Sequence, residues 1–391
     1  MPDHHGSGAG QLSRQKLPSL TGLRFFAAAL VFLFHASLPE VLGGFEDQGF
    51  ADGYAQAFSR VGFAGVSFFF ILSGFVLAWS ARPKDTLRAF YRRRLLKIYP
   101  NHIVMWAVAL CFFATMTPVR PGVWLTNLFL VHSWIPRADT AVSLNQPSWS
   151  LCSELLFYLL FPLLWRWIRT IRSSRLWMWF GLTSTGLLST QLMIDGWISG
   201  TPRLPDWPVS LMQAWLGYNF PPLRLFEFVL GMLVARLLAE GHRVSLGVTP
   251  ALALTGGGYV LALAVPWQYG FNAVLAVPLA LLVAAIAHAD IAGRRTGLRG
   301  RLLTLLGEVS FAFYLVHFMV LLIAHDLLEG RQFDTATALA VIALAFAVTL
   351  LLSWLLYEGV ERPIMRRWAG GPKRTVTAAE PDRPQLVEHS G

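Results

Sequence analysis

The chain has 391 residues, of which 55% are hydrophobic and only 14% charged, against about 25% charged in an ordinary soluble domain. Together with a mean hydropathy of +0.51 and a content of 28 Phe and 15 Trp, rings that suit bilayer interfaces, this excludes a soluble protein of two or three domains. Nucleic-acid binding is a poor account of the +10 net charge, and Cys111 and Cys152, far apart in apolar stretches, suggest neither a disulfide framework nor a zinc site.

A bilayer core about 30 Å thick takes roughly 20 apolar residues of helix, and ten such runs follow one another along the chain. They are Leu20–Leu38, Val61–Ser80, Tyr99–Thr117, Ser150–Ile168, Leu176–Leu192, Leu223–Leu238, Val248–Val265, Phe271–His288, Thr304–Ile323 and Thr337–Tyr357. Placing the N-terminus in the cytoplasm puts 26 of the 32 Lys and Arg on the cytoplasmic side, as the positive-inside rule demands. The predicted fold is therefore an all-α polytopic bundle of about ten transmembrane helices, residues 17–368, with both termini cytoplasmic. Residues 1–16 and 369–391 read as disordered tails. The outer loops 39–60, 118–149 and 193–222 are rich in Gly, Pro, Trp and Asp and can line a cavity.

An ionisable side chain inside a span costs about 2.5–3.5 kcal/mol on insertion scales, so each one needs a partner, a water-filled space or a role. Arg24, His35, Glu154, Arg224, Glu227, Glu308, His317 and His325 are the candidates. Arg24 and His35 are eleven residues apart in the first span, a rise of about 16 Å. Arg24 also suits a snorkelling anchor, and His35 a packing residue. Glu154 enters from the outer side in PSWSLCSE, at the depth assigned to His35, where a carboxylate fixes the tautomer of a general-base imidazole. Its alternative is to accept hydrogen bonds from Ser or Trp at the helix start. Arg224 and Glu227, three apart, fit mutual neutralisation, and His317 fits either a structural hydrogen bond or a site role. The run Arg88, Arg92, Arg93, Arg94, Lys97 exceeds what topology needs and suits phosphate binding, or anchoring at lipid headgroups.

Taken together, several segments resemble the membrane-bound acyltransferase 3 family, which O-acylates sugars, cell-envelope glycans and some secondary metabolites. The likeness covers most of the chain. Arg24 and His35 in LTGLRFFAAALVFLFHA match the family's Arg, ten residues, His. GVSFFFILSGFVLAWS is similar to its Gly-x-x-x-Phe-Phe-x-x-Ser-Gly-Phe pattern and places Ser73. FYRRRLLKIYP is similar to its Arg-rich segment, with Lys97 where Arg is common. SWSLCSELLFY resembles its Ser-Trp-Ser-Leu-x-x-Glu segment, with Leu155 where a second acid is frequent. GEVSFAFYLVH resembles its Ser-Tyr-x-x-Tyr-Leu-x-His segment, with Phe311 for the first Tyr and Met319 where Pro is frequent. Glu361–Pro363 fits the closing motif.

The resemblance implies an acyl-CoA-dependent O-acyltransferase of a sugar, glycan or macrolide-like hydroxyl acceptor in the cell (inner or cytoplasmic) membrane. It has no permanently bound cofactor, no metal and no nucleic-acid partner. His35 is the expected base, oriented by Glu154; direct transfer and a covalent acyl-imidazole both remain open. Arg24, Arg93, Arg94 and Lys97 are the expected donor contacts. Ser73, Trp149, Ser150, Arg224, Glu227, Tyr314 and His317 are the expected substrate-binding or supporting residues. A proton-coupled transporter or exporter is the alternative, since buried His and Glu also build proton relays.

Overall fold

The computed structural model describes residues 15–39, 41–42, 44–82, 85–114, 120–204, 207–242 and 246–369. Apart from residues 15, 16 and 369, the two expected tails lie outside the described residues. The main helices are α1 (Pro18–Ala36), α2 (Gln48–Phe58), α3 (Val61–Trp79), α4 (Leu87–Ala114), α5 (Pro121–Leu128), α6 (Trp149–Ile168), α7 (Leu176–Trp197), α8 (Leu225–Ala239), α9 (Val248–Ala264), α10 (Ala276–Ile291), α11 (Arg301–Leu327), α12 (Thr335–Leu356) and α13 (Arg362–Trp368). Among the described residues no strand is present.

Each of the ten apolar runs is helical over most of its length. Six segments are long and apolar enough to cross a membrane: Pro18–Ala36, Gln48–Trp79, Leu87–Phe113, Gln146–Ile168, Arg301–Leu327 and Thr335–Trp368. Of the other four, α7 has 22 residues but carries Gln191, Asp195 and several hydroxyl residues. Helices α8, α9 and α10 have 15, 17 and 16 residues.

Differences from expectation have local causes. Helix α4 starts at Leu87, so the basic run expected to join two spans is itself helical, and the helix continues through Pro100. Arg and Lys are good helix formers, and their long side chains can reach polar surroundings from a helix face. The outer connections are not plain loops either. Helix α2 is capped by Asp47, whose carboxylate accepts from the Phe50 amide at 3.1 Å, a strong start signal for its sequence.

Helices α3 and α8 form the centre. Their backbones touch at Gly74, which lies against the Phe228 carbonyl, and at Gly231, which lies against the Ile71 carbonyl; any Cβ at either place would collide. Gly307 of α11 meets the Thr21 carbonyl of α1 in the same manner. Apolar lipid tails offer no hydrophobic force between helices, so such small-residue seams supply close van der Waals packing. The α1–α11 seam matters most for the site, because it brings the outer halves of these helices side by side. By contrast α12 leaves Leu344, Leu351 and Leu355 exposed, as suits a helix that faces lipid.

Candidate active site

Two cavities open inside the bundle. The first, of about 170 Å³, is lined by Arg24, Ser73, Arg94, Lys97, Ser150, Glu154, Tyr158 and Tyr314, among others. It is cationic on balance. Tyr158 donates to Glu154 Oε1 at 2.5 Å, one helical turn apart on α6. The Arg94 guanidinium lies 5.6 Å from the Phe90 ring and 5.8 Å from the Tyr158 ring, within reach of cation–π attraction. Lys97 pairs with Glu361, which also accepts from Asn101 Nδ2 at 2.6 Å. Glu361 closes a π-helical turn, Tyr357–Glu361, between α12 and α13. Lys97 is therefore committed to a carboxylate, and Arg24 and Arg94 are the guanidinium groups that line the space. Arg93 pairs with Asp85 instead and does not line the cavity, because it projects from another face of α4 than Arg94.

The second cavity, of about 220 Å³, is lined by His35, Phe34, Phe63, Gln146, Trp149, Trp207, Trp215, Tyr218, Asn219 and Tyr314, among others. No Asp, Glu, Lys or Arg is among its lining residues. Phe34, Ala138, Val142, Gln146 and Trp207 also line a larger vestibule of about 740 Å³. Its one charged lining residue, Asp139, is paired with Arg120 and Arg137. The Thr140 hydroxyl and the Arg137 guanidinium hold the Asp139 carboxyl below its usual range.

His35 is buried, and its Nδ1 lies 3.0 Å from the Val31 carbonyl one turn back. The same nitrogen lies 3.0 Å from His317 Nε2 of α11. Nε2 of His35 is left for the cavity. The expected His35–Glu154 contact is corrected here: Glu154 bonds Tyr158 and lines the cationic cavity, while His35 bonds His317 and lines the uncharged one. Equal depth in the bilayer was the basis of that expectation, and depth alone does not fix which way two helices turn.

Val66 and Tyr314 line both cavities, so these two side chains form the wall between them. The Tyr314 hydroxyl is held by Ser150 Oγ at 2.9 Å and the Pro147 carbonyl at 3.3 Å. Arg224 and Glu227 are both fully buried and pair at 2.9 Å. Arg224 also reaches Ser67 Oγ at 3.3 Å and lies 4.8 Å from the Tyr218 ring and 5.9 Å from the Trp149 ring. This pair stands behind the wall of the uncharged cavity and braces two of its aromatic rings. Cys152 is buried with its Sγ 3.4 Å from His132 Nδ1 and lines neither cavity.

Sequence reasoning missed Tyr158, Glu361 as a partner of Lys97, and the aromatic lining Trp207, Trp215 and Tyr218. Glu361 carried a signal, an acid beside Arg-Pro at the end of a span. The three aromatics sit in the connection 193–222, whose Trp-rich composition suggested a cavity lining, but without periodicity nothing marked these side chains individually.

Residues 17–358 match a family described as "Acyltransferase domain". The chain is similar to "Acyltransferase MdmB" of Streptomyces mycarofaciens, 40% identical over 377 residues, covering 94% of this chain and 96% of that protein. It is similar to "Exopolysaccharide production protein ExoZ" of Rhizobium meliloti, 30% identical over 81% of this chain and 93% of that protein. Similarity to "O-acetyltransferase OatA" of Staphylococcus aureus is 23% identity over 91% of this chain and 58% of that protein. No solved structure gives a significant match.

Proposed function

The chain belongs to this acyltransferase family, and from that premise we propose that it moves an acyl group from acyl-CoA to a hydroxyl of a sugar, glycan or macrolide-like acceptor, with His35 as general base. The observation that carries the reading is the pair of contrasting cavities with one shared wall. A CoA donor is polyanionic at one end and neutral at the thioester, and Arg24 and Arg94 offer planar groups of the type that binds phosphates best. The acceptor enters through the vestibule and occupies the uncharged cavity, where apolar and aromatic surface buries its body.

In the reaction, His35 Nε2 removes the acceptor's hydroxyl proton as oxygen attacks the thioester carbonyl. The C–O bond forms, the tetrahedral intermediate collapses with loss of the C–S bond, and the imidazolium returns the proton to the departing thiolate. General-base assistance of this kind is worth about 10²–10⁴-fold. Glu154 stays on the donor side, balancing Arg24 and Arg94. The positive-inside rule supports an orientation with the Arg24 end in the cytoplasm, where acyl-CoA is made, and we take the cell membrane as the place of the reaction.

Purified protein incubated with a panel of acyl-CoAs and hydroxyl acceptors, with products read by mass spectrometry, tests this. An ester product that depends on both reactants supports it. Release of free CoA without any acylated acceptor, or substrate uptake into vesicles without donor, contradicts it.

A further inference from the structure

His317 is completely buried, and its Nε2 lies at hydrogen-bond distance from His35 Nδ1. The Val31 carbonyl that shares this nitrogen can only accept. His35 therefore carries its proton on Nδ1 and presents the lone pair of Nε2 to the cavity. His317 Nε2 is then the second acceptor of the same N–H, so His317 carries its own proton on Nδ1. That atom is buried and makes no well-formed hydrogen bond, with the carbonyls of Tyr314 and Phe313 beside it.

We infer that His317 is the positioning residue of the base, a second acceptor that shares the His35 Nδ1–H with the Val31 carbonyl, orients the ring whose Nε2 accepts the substrate's proton, and shares the charge that His35 then acquires. This rests on acyl transfer at this site. The acceptor's proton goes to His35 Nε2 and later to the thiolate; the Nδ1 proton remains between the two imidazoles throughout, so His317 neither gains nor loses a proton overall.

The surroundings explain why an imidazole serves here instead of a carboxylate. The titratable groups beside His35 are His317 of α11, at hydrogen-bond distance behind it, and, across the cavity lining, Tyr314 of α11 and Tyr218 from the π-helical turn Trp215–Asn219. None of the cavity's lining residues from α1, α3 or α6 is charged. An unpaired carboxylate in such a place is costly to bury, whereas two neutral imidazoles carry no net charge until the reaction begins. The His317 ring lies nearly parallel to Phe313, 6.4 Å between centroids at 10°.

The test compares His317→Leu, which fills the space without an acceptor, with His317→Gln, whose amide oxygen restores one. Removing a hydrogen-bond partner of a group that becomes charged should lower kcat about 10- to 100-fold in the leucine variant, leave KM for donor and acceptor unchanged, and be largely reversed in the glutamine variant. A leucine variant with wild-type kcat, or a loss confined to KM, overturns the dyad. If the leucine variant fails to fold, His317→Asn, whose shorter side chain falls out of reach, takes its place: equal rates in the Asn and Gln variants overturn the inference. Wild-type protein that transfers no acyl group removes the function instead, so the two failures are distinct.

Discussion

The two cavities differ in almost every physical respect although Val66 and Tyr314 belong to both. One gathers Arg24, Arg94, Lys97 and Glu154; the other has aromatic rings, an imidazole and no charged lining residue. Within a low-dielectric bundle, charges interact strongly and are costly to leave unpaired. Those that line either cavity gather in the first, and the ion pair nearest the second, Arg224 with Glu227, is matched within itself behind the aromatic lining. The proposed polyanionic donor and bulky neutral acceptor would require opposite surroundings, and the bundle has a cationic and an uncharged cavity within one side chain of each other.

The sharpest way to break the comparison is to remove the base. His35→Ala should lower acyl transfer by about 10²–10⁴-fold with unchanged yield of folded protein; turnover near wild type would take the base assignment away. Next in size is Arg224→Met, which leaves Glu227 buried without its partner and should cost about 3–5 kcal/mol of stability. Thermal unfolding in detergent checks this, and Arg224→Met combined with Glu227→Leu should recover most of the loss. On the cationic side, Arg24→Gln and Arg94→Gln should each raise KM for donor about tenfold, since a charge-assisted hydrogen bond contributes about 1.5–3 kcal/mol. Arg93→Gln, at a residue engaged with Asp85 outside the cavity, should change KM little. An equal effect at Arg93 and Arg94 would mean that the whole basic run, and not the cavity, attracts the donor. The smallest expected effect is that of Trp207→Ala, a few-fold rise in KM for acceptor with that for donor unchanged. A rise for both would merge the two sites into one.

His35 was legible because an ionisable residue in an otherwise apolar span has few reasons to be there, and Arg24 because its spacing from His35 matched a known pattern. Hydropathy located the helices for the same reason, as length and apolar content are set residue by residue. The partners of these side chains were not legible. Spacing along a helix fixes depth, but the rotation of each helix and its lateral neighbours depend on seams such as Gly307 against Thr21 and Gly74 against Phe228. Those seams put His317, 282 residues away in sequence, beside His35, and put Glu154 in the other cavity. Lys97 likewise meets Glu361 across 264 residues, a contact that a local reading of the basic run cannot foresee. Trp207 and Tyr218 lie in an irregular connection, where no period marks one side chain as inward.

The most direct test of the two-cavity account is a structure of the protein with a non-transferable acyl-CoA analogue and an acceptor bound together. The account predicts the donor's phosphates at Arg24 and Arg94, its acyl carbonyl at the Tyr314 wall, and the acceptor hydroxyl within hydrogen-bond reach of His35 Nε2. A donor headgroup in the vestibule, or an acceptor seated among Arg24, Arg94 and Glu154, would contradict it.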